Sequence, residues 1–336
     1  MEANIPPTQR MFQLVTGYWV SQAVGAVAAL GIADALAGGP RTADDLAGSA
    51  GCSPDAVARL LRACASLDIV RRDEQGRFGL TEVGTTLRGD VPGSMRDLAI
   101  ALTAPGRWLS WGRFRDAVTT GSRQTTATLG GELFEYYGRT PVEAKSFSGA
   151  MRGMSEMVAL ELARVFDASK NTVCVDVGGA NGALVTTLLN KNPKLSGMVV
   201  DLPHVVAGAR EAVAAAGLAS RCEVVAGDFF KSVPAGDLML LKHILHDWDD
   251  TQCRTILRNC AASLAKGGRV LVVEMLLPDT DRPDPAPWMD LNMLVLTTGR
   301  ERSRAQYAAM AQDAGLTLVA AHATHSPFQV LELARA

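Results

Sequence analysis

The sequence predicts an α/β chain in two parts: a mainly helical N-terminal part of winged-helix type, then a doubly wound, Rossmann-like domain of seven strands. Three observations carry this. From Thr172 onward short β-branched runs alternate with helical stretches, the pattern of a parallel sheet covered on both faces. The first run leads into Val175-Asp-Val-Gly-Gly-Ala-Asn-Gly182, a glycine loop that opens a helix. Ahead of these, two helix signals and a hairpin signal follow one another between Thr42 and Thr81.

Taken in order, residues from about Thr8 to Ala37 read as continuously helical, ended by Gly38-Gly39-Pro40. Within them, Ala23 to Ala33 are all apolar or glycine. That run is too short to span a bilayer and reads as a buried helix, not a targeting segment. Thr42 starts a short helix. Ser53-Pro54 is an N-cap followed by proline at the first helical position, and Val57, Leu60, Leu61 and Cys64 share one face of the helix that follows. Arg71 to Thr81 reads as a hairpin turning near Gly76. Residues 91–166 read as helical and loop-rich, with aromatics clustered at Trp108, Trp111, Phe114, Phe134, Tyr136, Tyr137 and Phe147. The seven strand candidates are Thr172–Val177, Gly197–Val200, Cys222–Val225, Leu238–Leu241, Val270–Val273, Leu316–Ala320 and Gln329–Leu333. The division expected is therefore 1–100, 101–166 and 167–336.

Charge argues against the DNA-binding use of a winged helix. Between Pro40 and Asp90 there are seven Arg, no Lys and eight acidic residues. A balance of about −1 offers no face for phosphate neutralisation. The whole chain has a net charge of −2, so neither a nucleic acid nor a membrane surface is expected as partner. The six cysteines form no C-x-x-C pair and read as reduced thiols of a cytoplasmic protein.

The glycine loop lets the backbone turn sharply and a ligand approach closely. Asp201, ending the next strand, can accept both hydrogens of a ribose diol. A nicotinamide cofactor and S-adenosyl-L-methionine both carry that ribose, so these features alone do not separate them. Two details favour the latter. Asp176 lies inside the motif, and Gly227-Asp228-Phe229 follows the third strand, an acid for an adenine amino group beside an aromatic for its face. After the fourth strand comes Leu241-Lys-His-Ile-Leu-His-Asp-Trp-Asp249, which sets His246 just past the sheet edge. Asp249 or Asp250 can cap the next helix, and Gly267 ends it. His243, His246, Asp247 and Asp250 lack the spacing of a complete metal site, and no metal is expected.

With those motifs, and with Asp201-Leu-Pro-His204 and Thr298-Gly-Arg-Glu-Arg302, the chain resembles over essentially its whole length the class I S-adenosylmethionine-dependent O-methyltransferases of the plant phenolic and bacterial aromatic-polyketide type. The resemblance implies a Rossmann-like seven-stranded methyltransferase domain preceded by a winged-helix dimerisation domain, hence a homodimer. It implies that Gly178, Asp201, Leu202, Gly227, Asp228, Phe229, Lys242 and Ser155 bind the cofactor. It makes His246 the general base, flanked by Glu274 and Glu301, in methyl transfer to a hydroxyl of a small aromatic substrate. Phe147, Met151, Met289 and Met293, with Asp247 and Trp248, are candidates to contact that substrate. Methionines 151, 154 and 157 also have the spacing of simple core packing. One departure stands out: Ala180 occupies the place of the family's third consecutive glycine. Transfer to nitrogen or carbon, a nicotinamide-dependent oxidoreductase, and a non-catalytic winged-helix regulator are the competing readings.

Overall fold

The central strands of the C-terminal half hold continuous apolar runs, such as Leu238–Leu241 and Val270–Val273, and a strand sends alternate side chains to opposite faces. Both faces must therefore be covered. In the computed structural model, which describes residues 5–203, 205–280 and 283–336, they are. The strands are β1 (Val70–Arg72), β2 (Phe78–Leu80), β3 (Val173–Val177), β4 (Ser196–Asp201), β5 (Cys222–Ala226), β6 (Gly236–Lys242), β7 (Leu264–Met275), β8 (Leu316–Ala323) and β9 (Phe328–Arg335). Leu238 and Leu240 of β6 face one core with the helices Ala183–Lys191 and Val206–Ala215. Met239 and Leu241 face the other, with the helices Asp250–Ser263 and Arg304–Asp313.

Seven strands form one sheet in the order β5-β4-β3-β6-β7-β9-β8. Neighbours from β5 to β7 are parallel, while β9 runs antiparallel to both β7 and β8. From β3 the chain winds outward to β4 and β5, then crosses to β6 on β3's other side. That reversal makes the C-terminal ends of β3 and β6 the switch point, where ligands enter sheets of this kind.

By backbone packing the chain divides into two units, Met1–Leu109 with Tyr137–Gly153, and Ser110–Tyr136 with Met154–Ala336. In the first, the helices Ala43–Ala50 and Pro54–Ala65 and the β1–β2 hairpin enclose a core of Val27, Leu46, Leu61, Ile69 and Phe78. Thr42 and Asp45 form a reciprocal capping box on the first of those helices. Phe147 stacks on Tyr137 at 4.7 Å, under the guanidinium of Arg107. No helix of the described residues is long and apolar enough to cross a membrane.

Three local expectations need correction. The N-terminal helix is not continuous: Pro7–Val15 stops at Thr16, and Gly17–Ala29 stops before Gly31, whose φ of 64° leaves the helical region. Ser53 stands at an N-cap, but its side chain makes no capping hydrogen bond. The helix after His246 ends at Ser263 rather than at Gly267, and β7 begins at once. The Arg335 guanidinium explains this, because it donates to Ala261 O and Leu264 O, supplying the partners that a further helical turn would have supplied.

Candidate active site

The glycine loop leaves β3 at the switch point. Gly178 has φ 69°, and a Cβ there would lie 2.5 Å from Ile244 Cδ1 and 3.4 Å from Phe229 Cε1. A side chain here would have to displace the end of Ile244 and hold a left-handed backbone, which favours glycine. Ala180 also adopts the left-handed conformation, φ 49°, with its methyl exposed. Its N–H donates to Asp201 Oδ2 at 2.8 Å, and Leu202 N–H donates to Oδ1 at 2.7 Å. The carboxylate that ends β4 thus fixes the loop in place. The alanine is accommodated without a clash, at a conformational cost of about 1–2 kcal/mol.

The end of β5 is tied in by Gly227 N–H, which donates to Asp201 O at 2.9 Å. Asp228 accepts from Phe230 N–H at 3.0 Å and pairs with Lys231 at 3.4 Å. Its carboxylate therefore also caps its own loop. Phe229 meets Phe230 and Trp248 edge to face. Beneath the loop, Asp176 is buried, which pushes its carboxyl up to about 7 even though Val185 N–H and Lys242 favour the charged form. Lys242 Nζ donates to Ser155 Oγ at 2.9 Å, and burial lowers its pKa against the pull of Asp176 and Glu274. Gly178, Asp201, Leu202, Gly227, Asp228, Phe229, Lys242 and Ser155 all belong to the second unit and cluster about the ends of β3 to β6.

His246 sits on a short 3₁₀ turn, Leu245–Asp247, directly after β6. Glu274 is fully buried on β7, the strand paired with β6. Its Oε1 accepts from the backbone N–H groups of Ile244, Leu245 and His246 at 3.2, 3.0 and 3.4 Å. Glu274 therefore holds the turn rather than the imidazole. Glu301, also fully buried, receives the imidazole: His246 Nδ1 donates to its Oε1 at 2.7 Å. The other ring nitrogen, Nε2, lies 3.7 Å from Asp247 Oδ1. Burial alone would lower the pKa of His246, but the charges of Asp247, Glu274 and Glu301 outweigh it and raise the ring to about 9. Burial raises Glu274 to about 8, opposed by the charge on His246.

Arg302 was not among the site residues expected, yet it is buried beneath this turn. Its guanidinium donates to Leu245 O, Trp248 O and the carboxylate of Asp250 at 3.1, 2.8 and 2.7 Å. From sequence, the run Arg300 to Arg304 has the look of a surface ion-pair cluster. A Cβ on Gly299 would overlap His246 O, so the segment lies flat against the turn. Asp290 accepts Glu301 N–H at 2.9 Å, and Asp249 caps the helix Asp250–Ser263 in a box with Gln252.

Met293 is buried on the helix Ala286–Leu296, and Asn292 of that helix accepts from Trp111 Nε1 at 3.1 Å. Of the methionine series, Met154 packs against the core beside β3, whereas Met157 is exposed. Phe147 and Met151 lie in the first unit. His204 falls outside the described residues. His243, His246 and Glu274 bring potential ligand atoms within 4.8 Å of one another. Nδ1 of His246 and Oε1 of Glu274 are already engaged in hydrogen bonds, and the two rings stack 22° from parallel. All six cysteines are free.

Comparison with known proteins places these features. The profile of the O-methyltransferase domain matches residues 111–317, and that of the O-methyltransferase dimerisation domain matches residues 12–90. A phenazine O-methyltransferase of Lysobacter antibioticus is 34% identical over 98% of this chain and 96% of its own length. The crystal structure of an O-methyltransferase from neocarzinostatin biosynthesis, in complex with S-adenosylmethionine and 2-hydroxy-5-methyl naphthoic acid, superposes with a TM-score of 0.82 at 34% identity, covering 99% of this chain and 100% of that one. An 8-amino-8-demethylriboflavin N,N-dimethyltransferase of Streptomyces davaonensis is 31% identical over 96% of this chain and 94% of its own.

Proposed function

We propose, from the premise that the chain belongs to the S-adenosylmethionine-dependent O-methyltransferase family and is such an enzyme, that His246 is the general base for methyl transfer to the hydroxyl of a small aromatic acceptor. One observation carries the proposal: a buried imidazole at the sheet's switch point, with Nδ1 bound to a buried carboxylate 2.7 Å away. That bond fixes the tautomer in which Nε2 is free to accept a proton, and it stabilises the imidazolium that forms.

The residues present fit the cofactor. A side chain at Gly178 would crowd Ile244 and Phe229, and Asp201, Leu202, Gly227, Asp228, Phe229, Lys242 and Ser155 lie about the same strand ends with the kinds of donor, acceptor and aromatic face an adenosyl group needs. When bound, S-adenosylmethionine supplies the electrophilic sulfonium methyl. The chain supplies alignment and proton removal. A phenol has a pKa of about 10, so an ordinary histidine at about 6.5 would face an uphill transfer of roughly 5 kcal/mol. At about 9, His246 reduces that gap to about 1.4 kcal/mol. Coupling proton removal to methyl transfer reduces it further.

The acceptor's acidity provides the test. An electron-poor phenol, already ionised at working pH, needs no base. His246→Ala should lose an ordinary phenol's turnover by about 10²–10⁴ but keep that of the acidic analogue within about threefold. Equal losses for both phenols would rule out a proton-transfer role. The product should be a methyl ether by mass and NMR; an N- or C-methylated product would contradict the acceptor class. The chain is further proposed to work as a homodimer in a reducing, cytoplasmic compartment. The dimerisation-domain match and the exposed apolar side chains of Met11, Phe12, Leu14, Val15, Tyr18 and Trp19 support the first, and the free buried thiols support the second.

A further inference from the structure

We infer that His243 is a positioning residue for methyl transfer, its ring serving as the platform on which His246 is held in plane. The inference rests on His246 being the base.

The two rings stack with centroids 4.2 Å apart and planes 22° from parallel. On the same ring, Phe328 packs at 4.5 Å. His243 is buried, and its Nε2 has no hydrogen-bond partner among the described residues. It therefore meets its neighbours through the faces of its ring. Its backbone is left-handed, φ 53°, a conformation that is strained for a β-carbon-bearing residue and persists only where the surroundings hold it. The backbone N–H of His243 donates to Val273 O on β7, which anchors that unusual turn at the sheet edge.

The other restraints on His246 leave one motion open. Glu274 fixes its backbone and Glu301 fixes Nδ1. A single hydrogen bond at one nitrogen still lets the ring rock about the Nδ1 contact, which would swing Nε2 off line. A parallel ring against one face blocks that rocking. Two imidazolium rings at this separation would repel. Burial, together with the charges of His246 and Lys242, keeps His243 well below an ordinary histidine and therefore neutral. The proton taken up in the reaction then resides on the ring that Glu301 holds.

The test compares His243→Phe, His243→Gln and His243→Leu with His246→Ala in parallel, each first checked for wild-type binding of S-adenosylhomocysteine by calorimetry. Phenylalanine keeps a stacking face without nitrogens; glutamine keeps a polar group without a ring. His243→Phe should retain kcat within about threefold. His243→Gln and His243→Leu should lose kcat by about tenfold to a hundredfold, the scale of a displaced reacting group, with KM for the acceptor unchanged. Wild-type kcat in His243→Gln or His243→Leu would overturn the inference, as would equal losses in His243→Phe and His243→Gln. An inactive His246→Ala beside a fully active His243→Gln would defeat only the platform. A fully active His246→Ala would defeat the base, and the platform with it. The unaltered protein gives a second reading. The ring protons of His246 should resonate upfield of free histidine because a ring lies on their face; unshifted resonances would also overturn the inference.

Discussion

Raising the pH from 7 to 9 should speed the enzyme. His246 must be neutral to accept a proton, and the carboxylates around it hold its proton up to about 9. Glu274, in the same cluster, titrates near 8, so the two lose protons as a coupled pair rather than one at a time. At pH 7 roughly one ring in a hundred is neutral, a deficit of about 2.7 kcal/mol at about 1.36 kcal/mol per unit. kcat/KM, which reports the free enzyme, should therefore rise by up to about tenfold per unit above pH 7 and level off only above about 9. The assay is initial rate against pH with a phenol whose own pKa of about 10 lies above that range. Glu301→Gln removes one of the three raising charges and should move the midpoint down while lowering the plateau. A profile that is flat above pH 7, or a midpoint unmoved in Glu301→Gln, would refute this reasoning. The same shifts act on stability. Both groups have folded-state pKa values above their unfolded ones, so their contribution is fully present at low pH. Glu274 loses its share from about 4.5 to about 8, and His246 from about 6.5 to about 9.

Three further outcomes follow from the same geometry. Arg302→Met takes the charged donor from Leu245 O and Trp248 O, leaving them the weaker Cys253 thiol and, for Leu245 O, Trp248 N–H, and should destabilise by about 1–3 kcal/mol in urea unfolding, lowering kcat as well. Ala180→Gly relieves the left-handed alanine but adds unfolded-chain entropy; a net gain of about 0.5–1 kcal/mol should appear as a higher Tm, with cofactor binding by calorimetry at least as tight. Asp249→Ala removes the capping box and should reduce stability by about 1 kcal/mol, with kcat unchanged.

The chain's two parts were legible because their signals are local. Glycine spacing marks the loop, near-continuous β-branched apolar runs mark the strands, and a histidine placed five residues past Leu241 must emerge at the sheet edge. What Glu274 does was not legible. Its bond to three backbone N–H groups depends on β7 lying beside β6 in the register that pairs Val273 with Lys242, and no local pattern encodes a register. Arg302 was hidden for the same reason. It pairs with Leu276 where β7 ends, and that contact takes it from an apparent surface cluster into the interior. Gly267 is a local stop signal that lost to Arg335, a residue from the far end of the chain.

The most direct measurement is the single-turnover rate of methyl transfer in His246→Ala, with saturating S-adenosylmethionine and an ordinary phenol. Single turnover separates the chemical step from product release. The account predicts a rate lower by about 10²–10⁴ with S-adenosylhomocysteine binding unchanged. A chemical step within about threefold of wild type would contradict it.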